Sequence, residues 1–358
     1  MKRLILAIGI ILLMAVSCRE PVTTGRDTLE SVKAIAADTA GVFSQIVRSG
    51  QVGAPGSIAI IGEPADGILL SRQFLTQDRL DNIDGREVRD SLPDFSGETF
   101  HVVLDDYNVP YAHFLSYQGD TLLRESLDSL RELAVQHALY AWKKNAKIMI
   151  FSSPLQAEYG LFDVDTLRKM AGASTFLLSP LETMFAEALE GGARKLAVWA
   201  SRDLPESGVY EAVFARMAPK DATLEVLSPE AALDVRTELR NLLRQYQLRA
   251  ERLDALLIDS YSVNLVPLES ELRMIRRQGT DEDERFDRML SPMFRFIDAA
   301  GSVTKATSRI LREENLFTHR VARPEVRYYQ TLESEEGNMA IVEVGARFVK
   351  ETYVPDLD

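Results

Sequence analysis

The sequence predicts an α/β protein: two doubly wound parallel-sheet units, with a C-terminal helical block and closing strands. Short apolar runs alternate along the chain with amphipathic stretches of helical period. Most of the runs are continuously apolar, which is typical of strands that are buried on both faces of a sheet. Strands that alternate with helices favour a parallel sheet covered by helices on both sides.

The first unit is predicted over residues 30–178. Its first helix is expected at 30–48, because apolar residues recur there at helical spacing and three glycines and a proline follow at 50–56. The predicted strands of the whole chain are 57–61, 99–104, 147–151, 174–178, 195–200, 223–227, 255–259, 326–332 and 339–349. The further predicted helices are 121–144, 163–172, 181–190, 208–218 and 229–250. Serine–proline pairs typical of helix starts occur at Ser153, Ser179 and Ser228.

The second unit is predicted over residues 179–316 and ends in the helical block. This block covers 265–314 and is expected to be almost wholly helical. Thr280, with Asp283 three residues later, indicates a new helix start inside it. The closing strands, within 317–358, are expected to return to the first unit.

Composition and charge exclude several classes of partner and site. The formal net charge of −13 disfavours nucleic acid and other anionic polymers as partners. No glycine-rich nucleotide loop follows a predicted strand, so no cofactor is expected. His101 and His113 flank two aspartates without a regular metal-ligand spacing, so no metal site is expected either.

The N-terminus has the pattern of an export signal. A basic start precedes an apolar run at 4–16, and small residues then lead to Cys18, the only cysteine of the chain. A membrane-spanning helix needs about 20 apolar residues, so this run is too short to be one. The pattern therefore predicts a signal peptide over residues 1–17.

The segment Ala15-Val16-Ser17-Cys18 resembles a bacterial lipobox. This resemblance implies a lipoprotein whose Cys18 is lipidated with palmitate-type chains and becomes the mature N-terminus, followed by a tether over 18–29. The membrane is then a partner through the lipid at Cys18. Because Arg19, rather than an aspartate, follows the cysteine, the resemblance implies the cell envelope, at the outer membrane facing the periplasm.

Polar side chains follow the ends of several predicted strands. In open parallel sheets, ligands bind beyond the carboxyl ends of the strands. Carboxylates, an arginine and tyrosines at these ends suit a small polar solute, which they would hold by hydrogen bonds and stacking. The predicted ligand-binding residues are Asp105, Asp106, Tyr107, Ser153, Arg202, Asp259 and Tyr261. No residue is assigned a catalytic role.

The stretch 192–199, Gly-Ala-Arg-Lys-Leu-Ala-Val-Trp, is similar to the strand that opens the second domain of type I periplasmic binding proteins. The resemblance covers about 57–261. It implies a lipid-anchored envelope protein that binds a small polar ligand in an interdomain cleft, without catalysis. Two alternatives stay open: an envelope hydrolase on a doubly wound fold, with Asp105, Asp106 or a strand-end serine as catalyst, and a structural or assembly lipoprotein.

Overall fold

The computed structural model of this chain shows a mixed α/β fold with two parallel sheets, as the sequence predicts. It describes residues 27–50, 52–81, 86–115, 117–118, 121–122, 124–201, 204, 206–230, 234–247, 251–318, 320, 322–333 and 339–354. The strands are β1 Ser57–Gly62, β2 Thr99–Leu104, β3 Tyr117–Gln118, β4 Thr121–Leu122, β5 Ala146–Phe151, β6 Phe176–Leu178, β7 Lys195–Trp199, β8 Thr223–Leu227, β9 Leu253–Ile258, β10 Leu290–Asp298, β11 Glu325–Glu333 and β12 Met339–Val344.

Helices connect most of these strands. They are α1 Glu30–Ala37, α2 Val42–Ser49, α3 Pro64–Thr76, α4 Arg124–Lys143, α5 Pro154–Ala171, α6 Pro180–Glu190, α7 Val209–Met217, α8 Val235–Tyr246, α9 Leu265–Arg276, α10 Asp281–Met289, α11 Ala299–Glu313 and α12 Ala346–Tyr353, with a 3₁₀ helix at Tyr111–Phe114. Over the described part of the chain, no helix combines the length and the apolar composition that a membrane span requires.

The first sheet has six strands in the order β12-β11-β2-β1-β5-β6. All pairs are parallel except β11 with β12. Strand β1 lies in the middle and is buried along its whole length, with Ile58 between Phe100 of β2 and Ile148 of β5. The chain moves from β1 to one side to form β2 and later returns to the other side to form β5. The crevice of this sheet therefore lies at the carboxyl ends of β1 and β5.

The second sheet has four parallel strands in the order β10-β9-β7-β8. Its chain moves from β7 to β8 on one side and then to β9 on the other side, so its crevice lies at the ends of β7 and β9. One apolar cluster joins the two sheets, since it contains Ile58 and Ile148 of the first sheet together with Leu196 and Leu257 of the second. This shared core holds the two crevices against each other.

The prediction that residues 265–314 are almost wholly helical is wrong, because β10 runs through the middle of that block. Pro292 cannot continue a helix, and it is tolerated in a strand at a sheet edge or a bulge. Strand β10 is such an edge strand, and its register with β9 shifts between Leu290 and Arg295. The second sheet consequently has four strands instead of three.

Helix starts were predicted with mixed success. Ser179 accepts a hydrogen bond from the Glu182 N–H, and Thr280 accepts one from the Asp283 N–H, so both caps are confirmed. The helix expected at 229–250 begins only at Val235. The residue before it, Asp234, accepts hydrogen bonds from two backbone N–H groups of the first turn, which makes it the cap in place of Ser228.

The helix expected at 30–48 is two helices, α1 and α2. The break falls at residues 38–41, where the chain turns and Gly41 becomes the N-cap of α2. Helix α3, which the sequence reading did not identify, follows β1 directly and begins with Glu63 as N-cap and Pro64 at the first helical position.

Candidate active site

A cleft of about 610 Å³ lies between the carboxyl ends of the two sheets. Glu63 and Ser153 line it from the ends of β1 and β5, and Ser201 and Asp259 line it from the ends of β7 and β9. These are the switch points of both sheets, where open α/β folds bind ligands. The volume is in the range of small-molecule sites.

Asp259 is a deeply buried acid at the end of β9, only 5% exposed. Its Oδ2 accepts a 2.6 Å hydrogen bond from the Tyr210 hydroxyl, whose oxygen accepts a 2.9 Å bond from the Ser201 N–H. Burial raises the pKa of Asp259 to about 6, although the hydrogen bond from Tyr210 acts in the opposite direction. Asp259 therefore changes its protonation state close to neutral pH.

Asp66 is the second acid of the cleft with a perturbed pKa. It lies in the first turn of α3, is half-buried, and has no hydrogen-bond partner within the described part of the chain. Burial and the negative charges of Asp259 and Glu63 raise the pKa of Asp66 well above its ordinary value. Two carboxyl groups with raised pKa values that line one cleft are candidates for the acid and the base of an active site.

Tyr261 joins the two sheets at the cleft. Its hydroxyl donates a 2.7 Å hydrogen bond to the carbonyl oxygen of Ser152, at the end of β5. Burial and the charges of Asp66 and Asp259 raise the pKa of Tyr261 well above its ordinary value, so it stays neutral. The backbone is close-packed here as well, since a Cβ at Gly62 would clash with the Ser152 Oγ.

Ser153 also lines the cleft and is only 3% exposed. It is the N-cap of α5, but its side chain accepts no cap hydrogen bond, and its hydroxyl has no partner among the described residues. Pro154 and Leu155, the first residues of α5, line the cleft beside it. The first N–H groups of a helix lack intrahelical acceptors and favour negative charge. This corner of the cleft can therefore receive a carboxylate.

Carboxyl groups dominate the charge of the cleft. None of the described residues that line it is a lysine, an arginine or a histidine. The acids that line it are Glu63, Asp66, Glu230, Asp234, Glu238 and Asp259. Elsewhere, too, the described part of the chain contains no group of three or more His, Cys, Asp or Glu side chains arranged to hold a metal ion.

The structure brings together Ser153, Asp259 and Tyr261 of the predicted ligand-binding residues, and all three line the cleft. Arg202 lies outside the described residues, as does Cys18. Asp105, Asp106 and Tyr107 do not line the cleft, and the reason is strand β11.

Strand β11 pairs with β2 and supplies polar partners at the end of that strand. Asp105 is fully buried, and Thr331 of β11 donates a 2.7 Å hydrogen bond to its Oδ1 while the Tyr111 hydroxyl donates a 2.9 Å bond to its Oδ2. Gln330 donates to Asp106, and the Tyr107 N–H donates to the Thr331 hydroxyl. These hydrogen bonds link the end of β2 to β11. They also occupy both carboxylate oxygens of Asp105, so neither is left as an acceptor for a ligand.

The sequence analysis missed Asp66, which lines the cleft, and Tyr210, which donates a hydrogen bond to Asp259 of the cleft. Asp66 follows a strand end by only four positions, but α3 was not identified, so nothing indicated that this carboxyl group turns back toward the sheet edge. Tyr210 lies in the helix predicted at 208–218, but no role was predicted for its side chain. A hydroxyl that must find a partner when buried was the available signal.

Comparisons with known proteins show the fold. No protein-family model matches the chain, and no curated protein matches it. Among solved structures, it is similar to a glutamate racemase isoform from Bacillus anthracis, with a TM-score of 0.51, 13% identity, and coverage of 78% of this chain and 90% of that one.

Two further glutamate racemases are similar to the same degree. The Thermus thermophilus enzyme, solved with beta-chloro-D-alanine, has a TM-score of 0.50 and 15% identity, with 80% of this chain and 91% of that one covered. The enzyme from Francisella tularensis subsp. tularensis, solved with D-glutamate, has a TM-score of 0.50 and 14% identity, with 84% and 94% covered. The two-sheet arrangement of this chain is thus similar to that of glutamate racemases.

This likeness corrects the predicted function. A non-catalytic, solute-binding protein was expected from a similarity to periplasmic binding proteins, and that expectation is wrong, since the structural neighbours are racemases. The comparisons also give no support to the lipoprotein and outer-membrane descriptions, which depend on residues outside the described part.

Proposed function

We propose that this protein is an amino acid racemase or epimerase that moves the α-proton of a small substrate between Asp66 and Asp259. The observation that carries the proposal is the pairing of these two groups. The first sheet and the helix after β1 bring one carboxyl group to the cleft, and β9 of the second sheet brings the other. The cleft raises the pKa of both groups, and we assign Asp259 as the base and Asp66 as the acid.

The proton transfer balances within this pair. The ionised Asp259 takes the α-proton from one face of the substrate, and the electron pair of the broken C–H bond moves into the adjacent carboxylate. Asp66 then donates its proton to the α-carbon from the opposite face. The product enantiomer leaves Asp259 protonated and Asp66 ionised, which is the state needed for the reverse reaction. A base whose pKa is near the working pH is the most effective one.

Ser153 and the start of α5 supply the remaining requirement, stabilisation of the charge that develops on the substrate carboxylate. A hydroxyl donor and backbone N–H groups aimed at such a charge in a buried site lower the barrier more than they would in water. The unpartnered Ser153 hydroxyl is available for this hydrogen bond.

The fold likeness to glutamate racemases supports a proton-transfer reaction as the class of chemistry. The groups proposed to transfer the proton are nevertheless assigned from this chain's own cleft. Its only cysteine is Cys18, which lies outside the described fold, so carboxyl groups are proposed for both proton transfers.

The proposal is tested by hydrogen exchange in D₂O. The purified protein is incubated with single L-amino acids, and deuterium at the α-carbon is followed by NMR while chiral chromatography follows the D-enantiomer. We expect exchange with inversion for at least one amino acid. Asp66→Asn and Asp259→Asn should each lower the rate by about 10²- to 10⁴-fold.

The control is Asp281→Asn, which removes an exposed aspartate in the first turn of α10, outside the cleft. It should leave the exchange rate unchanged. Absence of α-exchange for all amino acids, or full activity of the Asp259→Asn variant, would contradict the proposal.

A lipid anchor at Cys18 is a separate proposal. The basic start, the apolar run and the lipobox-like segment ending at Cys18 support it. Together they favour export and attachment to the cell envelope, with the enzyme at the outer membrane facing the periplasm. Acyl chains that bury many methylenes would provide the attachment.

A further inference from the structure

We infer that the substrate of this cleft is an amino acid with a cationic side chain, a substrate class unlike the glutamate of the structural neighbours' names. The inference rests on the proposed function and adds the chemistry that the side chain must have. Two independent features of the cleft support it: the sign of its charges, and the Ser153 hydroxyl, which has no partner among the described residues.

The first feature is the excess of carboxyl groups. Six acids line the cleft, and the described lining contains no basic side chain to compensate them. A substrate with a second carboxylate would bring another negative charge into a partly buried site, where like charges repel more strongly than in water. A second ammonium or guanidinium group would instead be attracted to every ionised acid of the lining.

The second feature is Ser153 at the start of α5. This serine is 3% exposed, lines the cleft and leaves its hydroxyl without a partner among the described residues. The hydroxyl of this cleft-lining serine is available to a ligand group that can hydrogen-bond to it. Beside a helix N-terminus, the preferred ligand group is an anion. The α-carboxylate of the substrate fits this corner.

The α-carboxylate at Ser153 directs the side chain toward the second sheet. Three of the acids there form what we call the acidic rim: Glu230, Asp234 and Glu238, from the loop after β8 and from α8. The Asp234 carboxylate already accepts hydrogen bonds from the first turn of α8 as its N-cap, and Glu238 Oε1 accepts a hydrogen bond from the Glu230 N–H. Glu230 is exposed, and of its two carboxylate oxygens Oε2 accepts from Asn241, whereas Oε1 has no partner among the described residues and is proposed to receive the cation.

The test measures binding by titration calorimetry with four probes: L-lysine, L-ornithine, L-glutamate and L-norleucine. Norleucine has the chain of lysine without the ammonium group. We expect lysine or ornithine to bind at least about tenfold more tightly than norleucine or glutamate, because a hydrogen bond to a charged group is worth at least that factor.

Variants separate the two ends of the cleft. Glu230→Gln should weaken lysine about tenfold or more and leave norleucine unchanged, whereas Ser153→Ala should weaken both. The matched control is Glu269→Gln, on the exposed face of α9 and outside the cleft lining, and it should change neither. Equal binding of lysine by Glu230→Gln and by the unchanged protein would overturn the inference, as would unchanged binding of both ligands by Ser153→Ala.

The outcomes also separate this inference from the proposed function. Glutamate that binds more tightly than lysine and exchanges its α-proton would overturn the inference and support the racemase proposal. Lysine that binds tightly, responds to Glu230→Gln and never exchanges its α-proton would support the substrate class and overturn the proton-transfer role.

Discussion

Tyr261 and Ser152 belong to different sheets, and a 2.7 Å hydrogen bond from the Tyr261 hydroxyl to the Ser152 carbonyl oxygen connects them. Both residues are almost fully buried. The bond therefore fixes the end of β9, which carries Asp259, relative to the end of β5, which carries Ser153. The distance between the proton-transferring group and the carboxylate-binding corner depends on it.

Removing this bond should loosen the cleft. Tyr261→Phe keeps the ring and leaves the buried Ser152 carbonyl without its partner, so we expect the free energy of unfolding to fall by about 1–3 kcal/mol. Urea denaturation measures the change. The substrate affinity should fall as well, and a variant that unfolds at the same urea concentration would show that this carbonyl finds another partner.

The rate of α-proton exchange should depend on pH through the acid pair. Exchange needs Asp259 ionised and Asp66 protonated. The rate should therefore rise as the pH passes about 6, where Asp259 loses its proton, and fall again where Asp66 ionises. A pH–rate profile measured from about pH 4 to about pH 10 checks this, in pH steps small enough to resolve both the rise and the fall of the rate. A rate that is flat across pH 6 would exclude Asp259 as the base.

Asp259 should also make the folded protein less stable at higher pH. Its pKa is raised in the folded protein, so the folded state holds the proton more tightly than the unfolded state does. The contribution of Asp259 to the free energy of unfolding is therefore most favourable below about pH 4, and it is lost as the pH rises through about 6. Asp259→Asn removes the cost of burying the charge. The variant should gain about 2–3 kcal/mol of stability, relative to the unchanged protein, between pH 4 and pH 8.

Calorimetric or urea denaturation at both pH values measures this difference. The Asp281→Asn variant serves as the control, because its carboxyl group is exposed and does not line the cleft. A constant difference between Asp259→Asn and the unchanged protein at all pH values would contradict the raised pKa.

The core of the second unit should be sensitive at Phe286. Its ring is fully buried in the apolar cluster formed by α8, α9 and β9, and the Arg240 guanidinium lies 6.0 Å from the ring centre. Phe286→Ala should lower the free energy of unfolding by about 3–5 kcal/mol. Met293→Ala is the matched control, since Met293 is 84% exposed and surface changes of this kind alter stability by about 0.5 kcal/mol at most.

The lipid anchor predicts a specific change in location. Cys18→Ala should leave the protein exported but move it from the membrane fraction to the soluble fraction, and labelled palmitate should no longer be incorporated. Fractionation followed by immunoblotting measures this, and a Ser17→Ala variant, which keeps a small residue before the cysteine, serves as the control. A Cys18→Ala variant that stays in the membrane fraction would contradict the proposal.

The limits of individual strands were the most predictable part of the fold. The strands at Thr99–Leu104 and Thr223–Leu227 have the limits that their apolar runs predicted. Strand β10 was assigned to a helix because Met289, Met293 and Ile297 recur four residues apart. That spacing is shared by an amphipathic helix, and only Pro292 argued against it.

The location of the candidate site at strand ends was predictable, but the full set of residues that form it was not. The rule that ligands bind at strand ends located Ser153, Asp259 and Tyr261. It cannot say which strand ends border the switch point of a sheet, because the order of strands depends on pairings between distant parts of the chain. Asp105 was included for that reason, although β11 covers the end of its strand.

Strand β11 has a consequence for biosynthesis. The hydrogen bond from Thr331 to Asp105 joins positions 226 residues apart. While a ribosome is still translating the intervening sequence, β2 has an unpaired edge and Asp105 lacks one of its donors. Exposed strand edges pair readily with other chains, and contacts so distant in sequence form slowly. The nascent chain is thus most exposed to aggregation late in its synthesis, when chaperones would protect it most.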